Sequence, residues 1–248
     1  QIRFRDRLFF ERSPWSLCIA LEYCEGGGLR KKIKDWAGQP SIYWPKPKEI
    51  TALFQNIAAG LVHMHSKDLV HLDVKPDNIL VSQGFQQVKI CDLQQGSNGT
   101  NGYIAPERDR GAVLVSHAQA STGSQSLSML DRCDRDKVMK ADVWSAGCVL
   151  LDVLMPKHEG GWALEEEIAD YVENHGITDI TLDENLPYYE NEEGWDQFQK
   201  VVDIVLNSDQ VTNSAAIKNL ATHCLVANPD ARWTSRELLE ALEDGVGA

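Results

Sequence analysis

The chain has 248 residues, enough for one large domain or two small ones. Hydrophobic residues make up 43% and charged residues 25%, as in globular proteins, which sets aside disorder as the main state. A net charge of −13 argues against a dedicated nucleic-acid binder, and no run of eighteen apolar residues is present to span a membrane.

Ile2–Phe10 and Leu17–Tyr23 are rich in aliphatic and aromatic residues and read as two strands, separated by Ser13-Pro14. Gly26-Gly27-Gly28 then punctuates the chain. Across Lys48–His65, Ile50, Leu53, Phe54, Ile57, Leu61 and Met64 recur at three- and four-residue steps, which predicts a helix. Ile79–Val81 and Val88–Ile90 predict a short hairpin around Ser82-Gln83-Gly84. Arg108 to Val138 has little periodicity and five serines between 116 and 128, and reads as an inserted surface loop. Ala141–Met155 is apolar nearly all round, the pattern of a helix at a domain centre, and Pro156 stops it. Ala215–Val226 and Ser235–Leu242 predict two more helices, the second capped by Thr234 or Ser235 with Glu237 following.

Charge is unevenly spread. Residues 159–200 hold thirteen acidic residues against one lysine, a solvated face or a docking surface for a basic partner. The six cysteines, at 18, 24, 91, 133, 148 and 224, show no metal-ligand or C-x-x-C spacing. They read as reduced thiols, as expected of a cytoplasmic or nuclear protein.

The most informative segment is His71-Leu72-Asp73-Val74-Lys75-Pro76-Asp77-Asn78, an Asp followed by a Lys two residues later and an Asn five residues later, between a helix and a strand. Cys91-Asp92-Leu93 follows the hairpin. Further on come Gly99-Thr100-Asn101-Gly102-Tyr103-Ile104-Ala105-Pro106-Glu107, Asp142-Val143-Trp144-Ser145-Ala146-Gly147 and Asn228-Pro229-Asp230-Ala231-Arg232. In order and spacing these five segments resemble the catalytic loop H-R-D-x-K-x-x-N, the D-F-G, the G-T-x-x-Y-x-A-P-E, the D-x-W-S-x-G and the P-x-x-R of eukaryotic protein kinases.

The resemblance implies an α+β, protein-kinase-like fold: small-lobe strands over 1–21, a hinge over 22–28 and a mostly helical large lobe over 29–248, with the insertion at about 108–138. It implies ATP and Mg²⁺ as cofactors, a protein substrate, and transfer of the ATP γ-phosphate to a Ser or Thr hydroxyl. Such transfer passes through a loose transition state and depends on positioning and charge neutralisation. Asp73 would be the catalytic base, Lys75 the cation facing the moving phosphoryl group, and Thr100 the hydroxyl bridging Asp73 and Lys75. Asn78 and Asp92 would hold magnesium through oxygen atoms. Leu21 would be the gatekeeper, Glu22 and Cys24 would meet adenine through their backbone, and Leu80 would lie beneath the base. His71, Glu107, Asp142 and Arg232 would be structural, with Glu107 and Arg232 forming a buried ion pair and Asp142 accepting hydrogen bonds from the catalytic-loop backbone. A lysine at position 75 is the Ser/Thr-kinase pattern.

Departures from the pattern matter too. Leu72 stands where the family has Arg, which argues against activation by loop phosphorylation and is also seen in inhibitory cell-cycle kinases of the Wee type. Asp92-Leu93-Gln94 replaces D-F-G: Leu93 can still pack, but Gln94 removes a glycine. Only sixteen residues run from Asp92 to Glu107 inclusive, a short activation segment. Gly28 lacks the acidic side chain of many basic-directed kinases, although Asp77 could favour a basic residue near the target. By the resemblance, a Gly-rich loop, a strand-borne Lys and a helix-borne Glu would precede residue 1, so the chain is expected to be a fragment. The other reading is a catalytically impaired pseudokinase that serves as a binding or scaffold module.

Overall fold

The computed structural model describes residues 22–82, 85–93, 99, 100, 103–105, 108, 132–154, 203, 215–226 and 228–244. The predicted strand at 2–10, that at 17–23 except Glu22 and Tyr23, which are not in a strand, the Leu21 and Glu107 assignments, most of the 108–138 insertion and the acidic stretch 159–200 lie outside the described residues.

Five helices and one hairpin are described: α1 (Leu29–Ala37), α2 (Pro47–His65), β1 (Ile79–Val81), β2 (Val88–Ile90), α3 (Arg132–Leu154), α4 (Ala215–Cys224) and α5 (Ser235–Asp244). Short 3₁₀ turns occupy Ser41–Tyr43 and Pro76–Asn78. Helix α2 starts at Pro47, where the missing N–H costs nothing, and the Glu49 carboxylate accepts the Lys46 N–H at 2.7 Å. Of its predicted stripe, Ile50, Leu53, Phe54, Ile57 and Leu61 are buried and Met64 is half-buried. Thr234 proves to be the cap of α5: its hydroxyl faces the Glu237 N–H at 3.2 Å while Glu237 accepts the Thr234 N–H at 2.7 Å.

Helix α3 is the centre. Val143, Trp144, Ala146, Cys148, Val149, Leu150, Leu151, Val153 and Leu154 are all buried. It packs against α2, α4 and α5, and α2 in turn packs along α5. Gly147 lets α4 come close, because a Cβ there would sit 2.8 Å from Leu225 Cγ and 2.9 Å from Cys224 Cβ. The helix also begins at Arg132, nine residues before Ala141, so the C-terminal end of the stretch read as a loop is helical. Its first turns carry no apolar stripe because ion pairs hold them, Arg135 to Asp68 at 3.4 Å and Lys137 to Asp230 at 3.7 Å. Val138 then enters a small apolar cluster with Val70 and Leu72.

The hairpin is antiparallel, with Ile79 opposite Ile90, Leu80 opposite Lys89 and Val81 opposite Val88. The chain before α1 runs along the other edge of β1. Gly28 bridges Leu80, and the Val81 N–H donates to the Gly27 carbonyl at 2.9 Å. This approach requires Gly26, where a Cβ would lie 2.2 Å from the Val81 oxygen. The predicted hinge is thus stitched beside the strand that follows the catalytic-loop segment.

Candidate active site

The segment His71–Asn78 is anchored from below by α3. Asp142, fully buried, accepts the His71 N–H at 2.8 Å and the Leu72 N–H at 2.7 Å, and His65 Nε2 lies 3.0 Å from its Oδ2. Burial alone would push this carboxyl up, but the bonds from His65 and the His71 backbone outweigh it and hold the group below the usual carboxylate range. His65 Nδ1 in turn meets Ser235 Oγ at 2.9 Å, which ties the start of α5 to the same anchor.

Leu72 adopts φ +62°, a left-handed conformation that costs a residue with a Cβ about 1 kcal/mol or more. Both of its backbone polar groups are restrained, the N–H by Asp142 and the carbonyl by Arg108 Nη1 at 2.8 Å. The arginine of the family pattern is absent at 72, and the buried leucine instead packs with Val70 and Val138.

Above the anchor, Asp73 is 5% exposed and gathers three side chains. Lys75 Nζ lies 2.8 Å from Asp73 Oδ2, Asn78 Nδ2 donates to the same oxygen at 3.0 Å, and Thr100 Oγ1 donates to Oδ1 at 2.7 Å. The Lys75 ammonium also donates to Thr100 Oγ1 at 2.7 Å. An ammonium can only donate, so the threonine proton is directed at the carboxylate. Burial raises the Asp73 pKa, but the bonds from Lys75, Thr100 and Asn78 prevail, and the group stays ionised below the usual carboxylate range. Each carboxylate oxygen has two acceptor sites. Those of Oδ2 are filled, whereas Oδ1 carries one bond among the described residues.

Both hydrogens of the Asn78 amide point to Asp73, one to its carbonyl at 2.8 Å and one to Oδ2 at 3.0 Å. That leaves the amide oxygen turned away as a possible cation ligand. Asp92 comes close by backbone pairing: the Cys91 N–H donates to the Asn78 carbonyl at 2.8 Å, and His71 Nε2 lies 3.0 Å from the Cys91 carbonyl. Asp92 is exposed and has φ +65°. Asn78 and Asp92 are the right donor types for magnesium, hard oxygens few in number. Leu93, expected to pack, is 54% exposed. Gln94, which removes the family's glycine, lies outside the described residues, and Asp92 is the left-handed position of this segment that the structure describes.

On the hinge side, Glu22 pairs with Lys89 at 3.1 Å, and the Cys24 carbonyl accepts the Gly27 N–H at 3.2 Å, which leaves that oxygen one further acceptor site. Leu80 is half-buried on β1 beside Gly28. Arg232 is buried and donates to the carbonyls of Val226 at 2.8 Å and Lys140 at 3.0 Å, with its guanidinium 5.0 Å above the Trp144 ring. Cys24, Cys91, Cys148 and Cys224 are free thiols, and burial pushes Cys224 up to about 12.

The structure also brings in residues that the sequence reading passed over, namely Arg30, Tyr103, Asp152, Arg108 and His65. Asp152 carried a signal, the single charge within the apolar run Val143–Leu154, which requires a buried partner. Asp77, read as available to a basic target residue, is paired within the chain. Arg30 Nε donates to its Oδ2 at 3.1 Å.

The sequence has counterparts among known proteins. The family model for the protein kinase domain matches residues 7–242, and the chain belongs to that family. It is 31% identical over 159 residues to the mitogen-activated protein kinase kinase mkk2 of Aspergillus fumigatus, covering 58% of this chain and 26% of that protein. It is 32% identical over 145 residues to the serine/threonine-protein kinase nekl-2 of Caenorhabditis elegans, covering 56% and 36%. The serine/threonine-protein kinase DCLK3 of Homo sapiens is 25% identical over 234 residues, covering 90% and 28%. The chain thus spans about a quarter to a third of the length of these relatives.

Proposed function

We propose that the chain carries the catalytic centre of an ATP-dependent protein serine/threonine kinase. The observation that carries this reading is Asp73, a buried carboxylate kept ionised by Lys75, Thr100 and Asn78 with one acceptor site of Oδ1 left over. An incoming Ser or Thr hydroxyl would donate to that site, be oriented toward the γ-phosphate and pass its proton to Oδ1 as the new P–O bond forms and the bond from the γ-phosphorus to ADP, the leaving group, breaks. Lys75, 20% exposed on its side chain, would meet the negative charge of the transferring phosphoryl group. Asn78 Oδ1 and the Asp92 carboxylate would hold Mg²⁺, whose charge offsets that of the phosphates. The Glu22 and Cys24 backbone would receive adenine next to Leu80.

The carboxylate's low pKa makes it a weak base. Its contribution is orientation, as suits a loose transition state in which the hydroxyl proton moves late. The relatives' names support a protein substrate and a Ser/Thr acceptor. A scaffold reading draws on the left-handed, exposed Asp92 and the exposed Leu93, where the family's D-F-G would pack.

The test is transfer of labelled γ-phosphate from Mg²⁺-ATP by the full-length gene product to a mixture of protein substrates, followed by phosphoamino-acid analysis. Magnesium-dependent phosphoserine and phosphothreonine are expected. Absence of any transfer, with no ATP-induced rise in melting temperature, would favour the scaffold.

A further inference from the structure

Four elements converge on one guanidinium. Arg30 lies in the first turn of α1, and its side chain is 17% exposed. Its Nε donates to Asp77 Oδ2 at 3.1 Å, its Nη2 donates to the Tyr103 hydroxyl at 2.8 Å, and its Nη1 lies 3.7 Å from Asp152 Oδ2. The Tyr103 hydroxyl donates to Asp152 Oδ2, and the guanidinium sits 6.0 Å from the Tyr103 ring centroid. Two carboxylates and a phenol thus match the planar fork of an arginine on separate donors, the arrangement that selects a guanidinium over an ammonium.

The position of this cluster gives it a role. Asp77 is the neighbour of Asn78, and Tyr103 lies three residues beyond Thr100. Asn78 and Thr100 are the side chains that bond Asp73. The cluster therefore flanks the catalytic carboxylate from both the loop and the activation segment. Asp152 comes from the last turn of α3 and is 2% exposed, and both Arg30 and the Tyr103 hydroxyl face its Oδ2. Asp77, at 51% exposed, is the part of the cluster that faces outward.

We propose that Arg30 occupies, from within the chain, a guanidinium seat built from Asp77, Tyr103 and Asp152 beside the catalytic loop, so that substrates are selected there without a basic side chain. The second half rests on the kinase reading. Two acidic groups near a reacting hydroxyl would ordinarily recruit a basic residue of the substrate. Here their cation is supplied by the helix after the hinge, and a substrate arginine would meet a filled seat and a like charge.

Two measurements on the full-length gene product, wild type and Arg30→Ala, test this. In the first, Ser/Thr peptides carrying a single arginine at each position around the acceptor are compared. The variant is expected to gain about a tenfold preference for arginine at one position at which the wild type shows none. Identical profiles, or a wild-type preference at that position that the variant keeps, would overturn the selection role. In the second, melting temperature is followed in millimolar methylguanidinium against tetramethylammonium at equal ionic strength. A rise in the variant confined to methylguanidinium supports the seat, and equal responses to the two cations refute it. Should Arg30→Ala fail to fold, Arg30→Gln keeps the stem and removes the charge, and the same two outcomes are read from it. If wild type transfers no phosphate to any peptide, the kinase reading fails and takes the selection role with it, while the methylguanidinium response still decides the seat.

Discussion

Asp73 and Asp142 are both buried carboxylates that hydrogen-bond to groups of the segment His71–Asn78, and both are held below the usual carboxylate range, yet they are finished differently. Asp142 rises from the middle of an apolar helix, is fully buried, and takes two backbone N–H groups and one imidazole. Backbone donors move only if the fold moves, so this carboxylate fixes the loop. Asp73 takes side chains only, from Lys75, Asn78 and Thr100, and leaves one acceptor site of Oδ1 over. Side-chain partners can be removed one at a time without unmaking the fold. The contrast separates an anchor from the group proposed to react, although the two share the same chemistry.

The largest expected effect comes from breaking the anchor. Asp142→Ala strands the His71 and Leu72 N–H groups and releases the strained Leu72 backbone. A loss of about 3–5 kcal/mol is expected in denaturant unfolding, with activity lost alongside. Next comes Thr100→Val, which removes the bridge between Lys75 and Asp73. It should lower kcat on the order of 10²-fold and shift the melting temperature little, because the cost is misalignment of the carboxylate. Gly147→Ala sharpens the comparison from outside both networks. Its Cβ would press on Leu225 and Cys224, for a loss of about 1–2 kcal/mol after a gain of about 1 in helix propensity, with kcat per folded molecule unchanged.

The smallest effect is on acid unfolding. A carboxylate with a depressed native pKa stabilises the fold fully above its unfolded value, near 3.8, and that contribution is lost as pH falls through the lower native value. Wild-type stability measured by urea unfolding should therefore fall more steeply below about pH 4 than that of Asp142→Asn, which is already weakened at neutral pH.

Much of the base of the fold was legible. The stripe of α2 follows from periodicity, the two hairpin strands from apolar runs either side of Ser82-Gln83-Gly84, and the buried α3 from a run that is apolar nearly all round. The start of α3 at Arg132 was not, because its first turns are held by ion pairs with Asp68 and Asp230, which leave no apolar period. Within the site, the Asp73–Lys75–Thr100 contact was expected from the resemblance to the kinase motifs. The left-handed backbone of Leu72 and Asp92 was not, since neither residue type signals it. Nor was the Arg30 cluster, whose members are scattered over residues 30 to 152 and meet only in the folded chain.

The most direct measurement is kcat and melting temperature side by side for Asp73→Asn in the full-length gene product. The account predicts loss of transfer by about 10³-fold or more with a melting temperature within about 4 °C of wild type. Retained activity, or a fall in melting temperature as large as that of Asp142→Ala, would contradict it.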